Sequence, residues 1–220
     1  MPVTLPARAL LLDMDGTLVN SEAAVERCWR RWAAEHGIDG DHAMSVVHGR
    51  QGHLSMSILL PERPMEENLA DNRRMLAEEI ADVEGVVEVP GAAVFLAALG
   101  ALGGRSHALV TSADDALARA RMGAAGLPLP ELMVTAESVG ASKPDPEGFL
   151  KGAAGLGADP ADCVVFEDSE AGIRAGQAAG MRVVGVGPRA AAFGPTVHVE
   201  TLEQVRVVAT ADGGLLLEIG

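Results

Sequence analysis

The sequence predicts an α/β protein, with a mostly parallel sheet covered by helices on both faces and an all-helical segment inserted near the N-terminus. Three observations carry this. From residue 106 to residue 186, short apolar runs of strand type alternate with helical patterns, as βαβ units do. No convincing strand occurs between Thr17 and Glu88, although two helical patterns do. The apolar run Ala9-Leu10-Leu11-Leu12 ends in Asp13-Met14-Asp15-Gly16-Thr17-Leu18. That is the form of a buried strand delivering acidic side chains to a sheet edge. In open α/β sheets ligands bind in the crevice beyond the carboxyl ends of the strands.

Residues 8–13 make the first strand. Residues 21–36 follow as an amphipathic helix: Ser21 can cap it, Val25, Cys28, Trp29, Trp32 and Ala33 form one stripe, and Gly37 closes it. A second helix, strongly charged on one face, spans residues 65–81. Between them Val46-Val47-His48-Gly49-Arg50-Gln51-Gly52-His53 reads as a loop or loop–helix junction. The α/β pattern resumes at Val89-Pro90-Gly91, where Pro90 suits the start of a helix over 91–102. Then come a strand at 106–111, a helix at 114–125, a short strand at 132–135 and a helix at 146–155. A strand at 163–166, a helix at 169–179 and a strand at 182–186 complete the series. The tail, 205–210 and 215–219 around Ala211-Asp212-Gly213-Gly214, reads as a terminal hairpin.

Composition excludes several classes of function. The net charge is −14, and no basic cluster exists beyond Arg30-Arg31 and Arg73-Arg74. With no tyrosine and four phenylalanines, the chain lacks the positive stripe and stacking platforms of a nucleic-acid groove. Its two cysteines, Cys28 and Cys163, form no disulfide framework or C-x-x-C pair and read as buried thiols. No apolar run approaches the roughly 20 residues of a membrane helix, and the N-terminus carries no secretory pattern. The expectation is a cytoplasmic monomer with neither membrane nor nucleic acid as partner.

Four motifs sit at strand ends. In Asp13-Met14-Asp15-Gly16-Thr17, a carboxylate can attack a phosphoryl group if a cation draws off charge, and a second carboxyl two residues on can handle the proton. An Asp-Gly turn after a strand is also a common structural feature. In Leu109-Val110-Thr111-Ser112-Ala113, the Thr111 hydroxyl and the amides of Ser112 and Ala113 could hold phosphate oxygens; the alternative is a simple helix cap. Lys143, in Ser142-Lys143-Pro144-Asp145-Pro146, is a point cation beside two stiffening prolines, or else a solvated loop lysine. In Val164-Val165-Phe166-Glu167-Asp168-Ser169, a strand again ends in acids, which either cap the next helix or ligate metal. Oxygen donors from Asp13, Asp168 and a backbone carbonyl suit Mg2+, which keeps several waters and shares the substrate phosphate.

In this order and placement the motifs resemble the haloacid dehalogenase (HAD) superfamily of phosphotransferases over nearly the whole chain. The resemblance implies a Rossmann-like parallel-sheet core of residues 1–17 and 86–220, with residues 18–85 as an inserted α-helical cap. It implies Asp13 as nucleophile, Asp15 as general acid/base, Thr111 and Ser112 as phosphate-binding groups and Lys143 as the bridging lysine. It also implies Mg2+ held by Asp13, Asp168 and the main-chain carbonyl of Asp15, with Glu167 beside them as a water-mediated candidate. Within the superfamily, His48-Gly49-Arg50, Val89-Pro90-Gly91 and Pro146-Glu147-Gly148-Phe149-Leu150 are similar to the glycerol-phosphate and 2-deoxyglucose-6-phosphate phosphatase branch. The proline-glycine return is shared widely and discriminates little. His48 and Arg50 are the candidates for reading substrate hydroxyls from the cap. Asn20 departs from the pattern, since many relatives carry an acid there.

The activity implied is two-step hydrolysis of a small sugar or polyol phosphate. The rival is a mutase that returns the phosphoryl group to another hydroxyl. Such relatives carry a cap-hinge histidine about twelve residues after the nucleophile, where this chain has Val25. A third reading is a catalytically silent sugar-phosphate-binding module, against which the full set of catalytic residues speaks.

Overall fold

A computed structural model describes residues 3–102 and 106–220; Met1, Pro2 and residues 103–105, part of the expected core, lie outside the described residues. In chain order the elements begin with β1 (Val3–Ala7), β2 (Ala9–Leu12), β3 (Val19–Asn20), α1 (Glu22–Glu35), α2 (Gly40–Val47), α3 (Gly52–Leu59), α4 (Met65–Ala81) and β4 (Val87–Glu88). The α/β series follows with α5 (Ala92–Ala101), β5 (His107–Val110), α6 (Asp115–Ala124), β6 (Leu132–Val134), α7 (Glu147–Leu156) and β7 (Cys163–Glu167). It closes with α8 (Glu170–Ala178), β8 (Arg182–Val186), β9 (Val197–Val199), β10 (Val205–Ala209) and β11 (Leu215–Ile219).

The central sheet has the order β6-β5-β2-β7-β8-β9, and every pairing in it is parallel. Strands β2 and β7 lie in its middle and are buried at every residue, which is why their sequences are continuous apolar runs. The period of two still decides which helix each side chain meets. Leu10 and Leu12 join Phe95, Leu96 and Leu99 of α5 and Leu117 and Met122 of α6. Ala9 and Leu11 join Phe149 and Ala153 of α7 and Ile173 of α8 on the other face. The α/β class with a parallel sheet is therefore as expected. β5, β2 and β7 are neighbours, so whatever follows them emerges side by side.

Helices α1 to α4 build a separate apolar cluster from Cys28, Trp29, Trp32, Val47, Met56 and Met75. The Trp29 and Trp32 rings meet edge to face at 5.4 Å. Asp71 of α4 fastens this cluster, accepting from the Trp32 indole at 2.9 Å and pairing with Arg63 at 2.9 Å. Helices α1 and α4 lie where the sequence puts them. Helices α2 and α3 were not anticipated: only the junction between them, around 46–53, was legible. Both are short, begin at a glycine, and carry histidine and serine, so they lack a strong apolar stripe.

Three strand features depart from the expectation. One is β9, which extends the central sheet beyond β8 and, at three residues, is too short to show a period. The stretch from Thr17 to Glu88 is not free of strands: β3 pairs antiparallel with β4, Val19 opposite Glu88 and Asn20 opposite Val87. A ribbon of two residues per strand is too short to show a period. The N-terminus also forms β1, an edge strand on β11 of a separate three-stranded sheet, β1-β11-β10. Pro6 within it hides the signal, and an edge is where a sheet tolerates proline. The expected tail hairpin is the β10–β11 pair. Both cysteines are buried and free.

Candidate active site

Asp13 leaves the end of β2, its amide donating to the Phe166 carbonyl of β7 at 3.0 Å. Glu167 is the last residue of β7 and Asp168 the next. The adjacent strands therefore bring Asp13, Glu167 and Asp168 together, with carboxylate oxygens within 4.8 Å of one another. Lys143 enters from the loop after β6, through a cis Lys143–Pro144 bond. Its Nζ donates to Asp13 Oδ1 at 2.6 Å, to Glu167 Oε1 at 2.7 Å and to the Val110 carbonyl at 3.1 Å. The loop lysine is thus a buried one. Burial works against its charge, but Asp13 and Glu167 outweigh burial and hold the ammonium protonated above the ordinary lysine range.

Glu167 is fully buried, and both of its oxygens are engaged. Oε1 receives Lys143, while Oε2 accepts from the Ser169 amide at 2.8 Å and the Ser169 hydroxyl at 2.9 Å. Its position in the structure is that of an anchor for Lys143 and for the start of α8. Gly16 has φ +83°, and a Cβ there would lie 2.2 Å from Asp168 Oδ2. The turn after Asp15 needs glycine both for its conformation and for its approach to Asp168.

Thr111 follows β5 directly and lines the same cavity as Asp13, and its Oγ1 accepts from the Ala113 amide at 3.0 Å. Ser112 turns toward the segment between α2 and α3 instead, donating to the Gly49 carbonyl at 3.2 Å. Gly49, at φ +74°, comes so close to the core that a Cβ would lie 2.2 Å from Ser169 Oγ. His48 and Arg50 flank it. His48 Nε2 lies 3.4 Å from Arg189 Nη1, and burial together with Arg189 lowers the imidazole pKa, keeping the ring neutral at pH 7. Arg50 donates back to the Val46 carbonyl at 3.0 Å and also lines the cavity.

Asp15 has a different environment. Its Oδ1 accepts from the Ser21 hydroxyl at 2.6 Å, and its Oδ2 pairs with Arg121 Nη1 at 2.8 Å. Arg121 is buried and pairs through Nη2 with Glu79 of α4 at 3.2 Å. Burial pushes the Glu79 carboxyl up to about 7, with Arg121 opposing and Asp15 adding to the rise. Sequence reasoning missed Arg121, Glu79 and Arg189. Arg121 falls with Leu117, Ala118 and Met122 on the buried face of α6, and a charge on an apolar stripe was the available signal. Arg189, in the loop after β8, donates to Asp168 at 3.2 Å and to Glu22 of α1 at 3.2 Å. A lone loop arginine carries no such signal.

These residues line one cavity of about 530 Å3 between the sheet edge and helices α1 to α4. Asp13, Asp15, Thr111, Ser112, Asp168, His48, Arg50, Glu79, Arg121 and Arg189 all reach it, while Lys143 and Glu167 lie behind Asp13. The charge at its floor is unbalanced. Lys143 and, at Asp168, Arg189 face three buried carboxylates, and burial together with mutual repulsion still raises Asp13 well above its ordinary value and Asp168 to about 7. A compact, oxygen-only, anionic donor set of this kind fits a hard divalent cation.

Fold and site together define a hydrolase built on an α/β core, with its acids at the carboxyl edge of the sheet. The family model of haloacid dehalogenase-like hydrolases matches residues 7–180, and the chain belongs to that family. Among curated proteins it is similar to hexitol phosphatase A of Escherichia coli (strain K12), 38% identical over 96% of this chain and 99% of the relative. It is also similar to glycerol-1-phosphate phosphohydrolase 1 of Saccharomyces cerevisiae, 34% identical over 84% of this chain and 76% of the relative. Its family branch is that of sugar- and polyol-phosphate phosphatases. Among solved structures, β-phosphoglucomutase from Clostridium difficile superposes with a TM-score of 0.75 over 91% of this chain and 93% of its own, at 21% identity, a likeness of fold. Among the described residues no helix is long and apolar enough to cross a membrane.

Proposed function

We propose that the protein is a Mg2+-dependent phosphomonoesterase of small sugar or polyol phosphates, with residues 18–85 serving as a cap over the core site. The observation that carries this reading is the contact of Lys143 with both Asp13 and Glu167 beside Asp168 at the cavity floor. Asp13 attacks the phosphorus in line, and the bond between phosphorus and the leaving alkoxide breaks as Asp15 protonates it. Water deprotonated by Asp15 then attacks the aspartyl phosphate, releasing phosphate and restoring Asp13. Thr111 and the amides after it hold the phosphoryl oxygens at the start of α6, and Lys143 offsets the charge that nucleophile and phosphate bring together. Asp13, Asp168 and the Asp15 carbonyl would hold Mg2+, which supplies Lewis-acid stabilisation of the phosphoryl charge. The contacts of Ser112 with Gly49 and of Arg189 with Glu22 and His48 support a cap seated on the core, which excludes bulk water.

The curated relatives are a hexitol phosphatase and a glycerol-1-phosphate phosphohydrolase by name, and a polyol chain suits a cavity whose lining includes His48, Arg50 and Asn72. Val25 lines the same cavity and offers no proton-handling group, which favours hydrolysis over a mutase. A screen of glycerol, hexitol, pentitol and deoxyhexose phosphates, with a hexose 1-phosphate for the mutase, tests the reading. Phosphate release that needs Mg2+, stops with chelator and is lost in Asp13→Asn supports it. Turnover indifferent to chelator, or isomerised sugar phosphate as the main product, would refute it.

A further inference from the structure

We propose that Arg121 is the positioning residue of the acid/base carboxylate: from core helix α6 it holds Asp15 and is itself held by Glu79 of cap helix α4, so Asp15 is fully oriented only while the cap is seated. The inference rests on the reading of Asp15 as acid/base. An arginine can hydrate its guanidinium by reaching for the surface, yet Arg121 is only 4% exposed. Burying that charge is costly unless it is paired on more than one side. Here the pairing comes from two different parts of the molecule. Nη1 lies 2.8 Å from Asp15 Oδ2, in the turn after β2, and Nη2 lies 3.2 Å from Glu79 Oε2, four residues beyond Met75 on the inward face of α4.

The planar fork fixes the direction of a carboxylate as a lysine would not. Among the described residues Asp15 has one other side-chain anchor, the Ser21 hydroxyl on Oδ1. With both anchors in place the carboxylate plane is fixed, so its remaining lone pairs keep one orientation toward the cavity that Asp15 lines. Glu79 is the cap's share of this arrangement. If the cap swings away, Arg121 loses one of two anchors, and the direction of Asp15 loosens with it. Proton transfer is thereby confined to the closed, water-poor state.

The test compares esters that do and do not need a proton on the leaving group. Glycerol phosphate has an alkoxide leaving group, whereas p-nitrophenyl phosphate releases a phenolate that leaves unaided. The kcat/KM ratio therefore reads the acid step, since both esters share everything else up to the aspartyl phosphate. Arg121→Met is expected to lower kcat/KM about 100-fold on glycerol phosphate and less than about fivefold on p-nitrophenyl phosphate, with the loss in kcat more than in KM. Arg121→Lys should recover part of the loss, and Glu79→Gln should show the same bias at about tenfold. Equal losses on both esters, or no loss in Glu79→Gln, would overturn the proposal. Should Arg121→Met fail to fold, Glu79→Gln and Arg121→Lys decide alone. Asp15→Asn serves as the reference: if it shows no ester bias, the acid/base reading itself has failed, whereas bias there and not at Glu79 refutes only the link to the cap.

Discussion

At the scale of single residues, the site is decided by how few cations serve how many buried acids. Lys143 bonds Asp13, Glu167 and the Val110 carbonyl at once. Glu167 has no solvent exposure and depends on that ammonium for one of its two oxygens. Lys143→Met should therefore destabilise the protein by about 3–5 kcal/mol, the scale for breaking one side of a buried ion pair, as well as abolish turnover. Urea denaturation measures the first effect and phosphate release the second; unchanged stability would show that Glu167 is satisfied without the lysine. Asp13, Thr111 and Asp168 were legible in the sequence because each stands at the end of an apolar strand, and Lys143 because two prolines mark its loop; it was their joint order that pointed to a site. Glu167 was legible as an acid, but the sequence could not say that both its oxygens turn to Lys143 and Ser169. That depends on the rotamers of neighbours far apart in the chain.

At the scale of elements, helices α1 to α4, the proposed cap, are joined by polar contacts at Asp71 as well as by the packing of their tryptophans. Burial would raise Asp71, but hydrogen bonds from Trp32, Arg63 and His36 outweigh it and bring the carboxyl down to about 2. Its folded value lies below the ordinary 3.8, so the unfolded chain takes up the proton first as the pH falls. The stabilisation is complete above the unfolded value and drains away between about pH 5 and pH 2, and amounts to about 2 kcal/mol. Melting curves across that range should show the wild type losing stability more steeply than Asp71→Asn; parallel curves would contradict this. The loop between α2 and α3 gives a second expectation. Gly49→Ala puts a Cβ into Ser169 and strains a left-handed residue, so the cap should seat poorly. Expected is a fall in kcat of about tenfold or more, with the melting temperature lowered by only a few degrees through the backbone strain at residue 49, because the Cβ clash itself falls on closure. Helices α2 and α3 were hidden by their weak stripes, and β3 and β4 by their length. The cap was legible as helical, but the ribbon at its base was not.

At the scale of the whole molecule, the order of the central sheet explains why residues from positions 13 to 168 share one cavity. β5, β2 and β7 are adjacent and parallel, so Thr111, Asp13 and Asp168 emerge at the same edge. Alternating strand and helix patterns announce such a sheet, but not which strands adjoin, because parallel neighbours are joined through helices of any sequence order. The links between core and cap were the least legible part. Arg121, Glu79 and Arg189 act across the interface between them, and pairing at that distance leaves no local pattern beyond a charge on an apolar face. In the proposed mechanism Asp13 carries the phosphoryl group during turnover. Rapid acid quench of the enzyme with Mg2+ and a polyol phosphate, followed by peptide mass spectrometry, tests it most directly. The expected result is a hydroxylamine-labile phosphoryl group on Asp13, absent in Asp13→Asn. Phosphate release with Asp13 never modified, or modification of another residue, would contradict it.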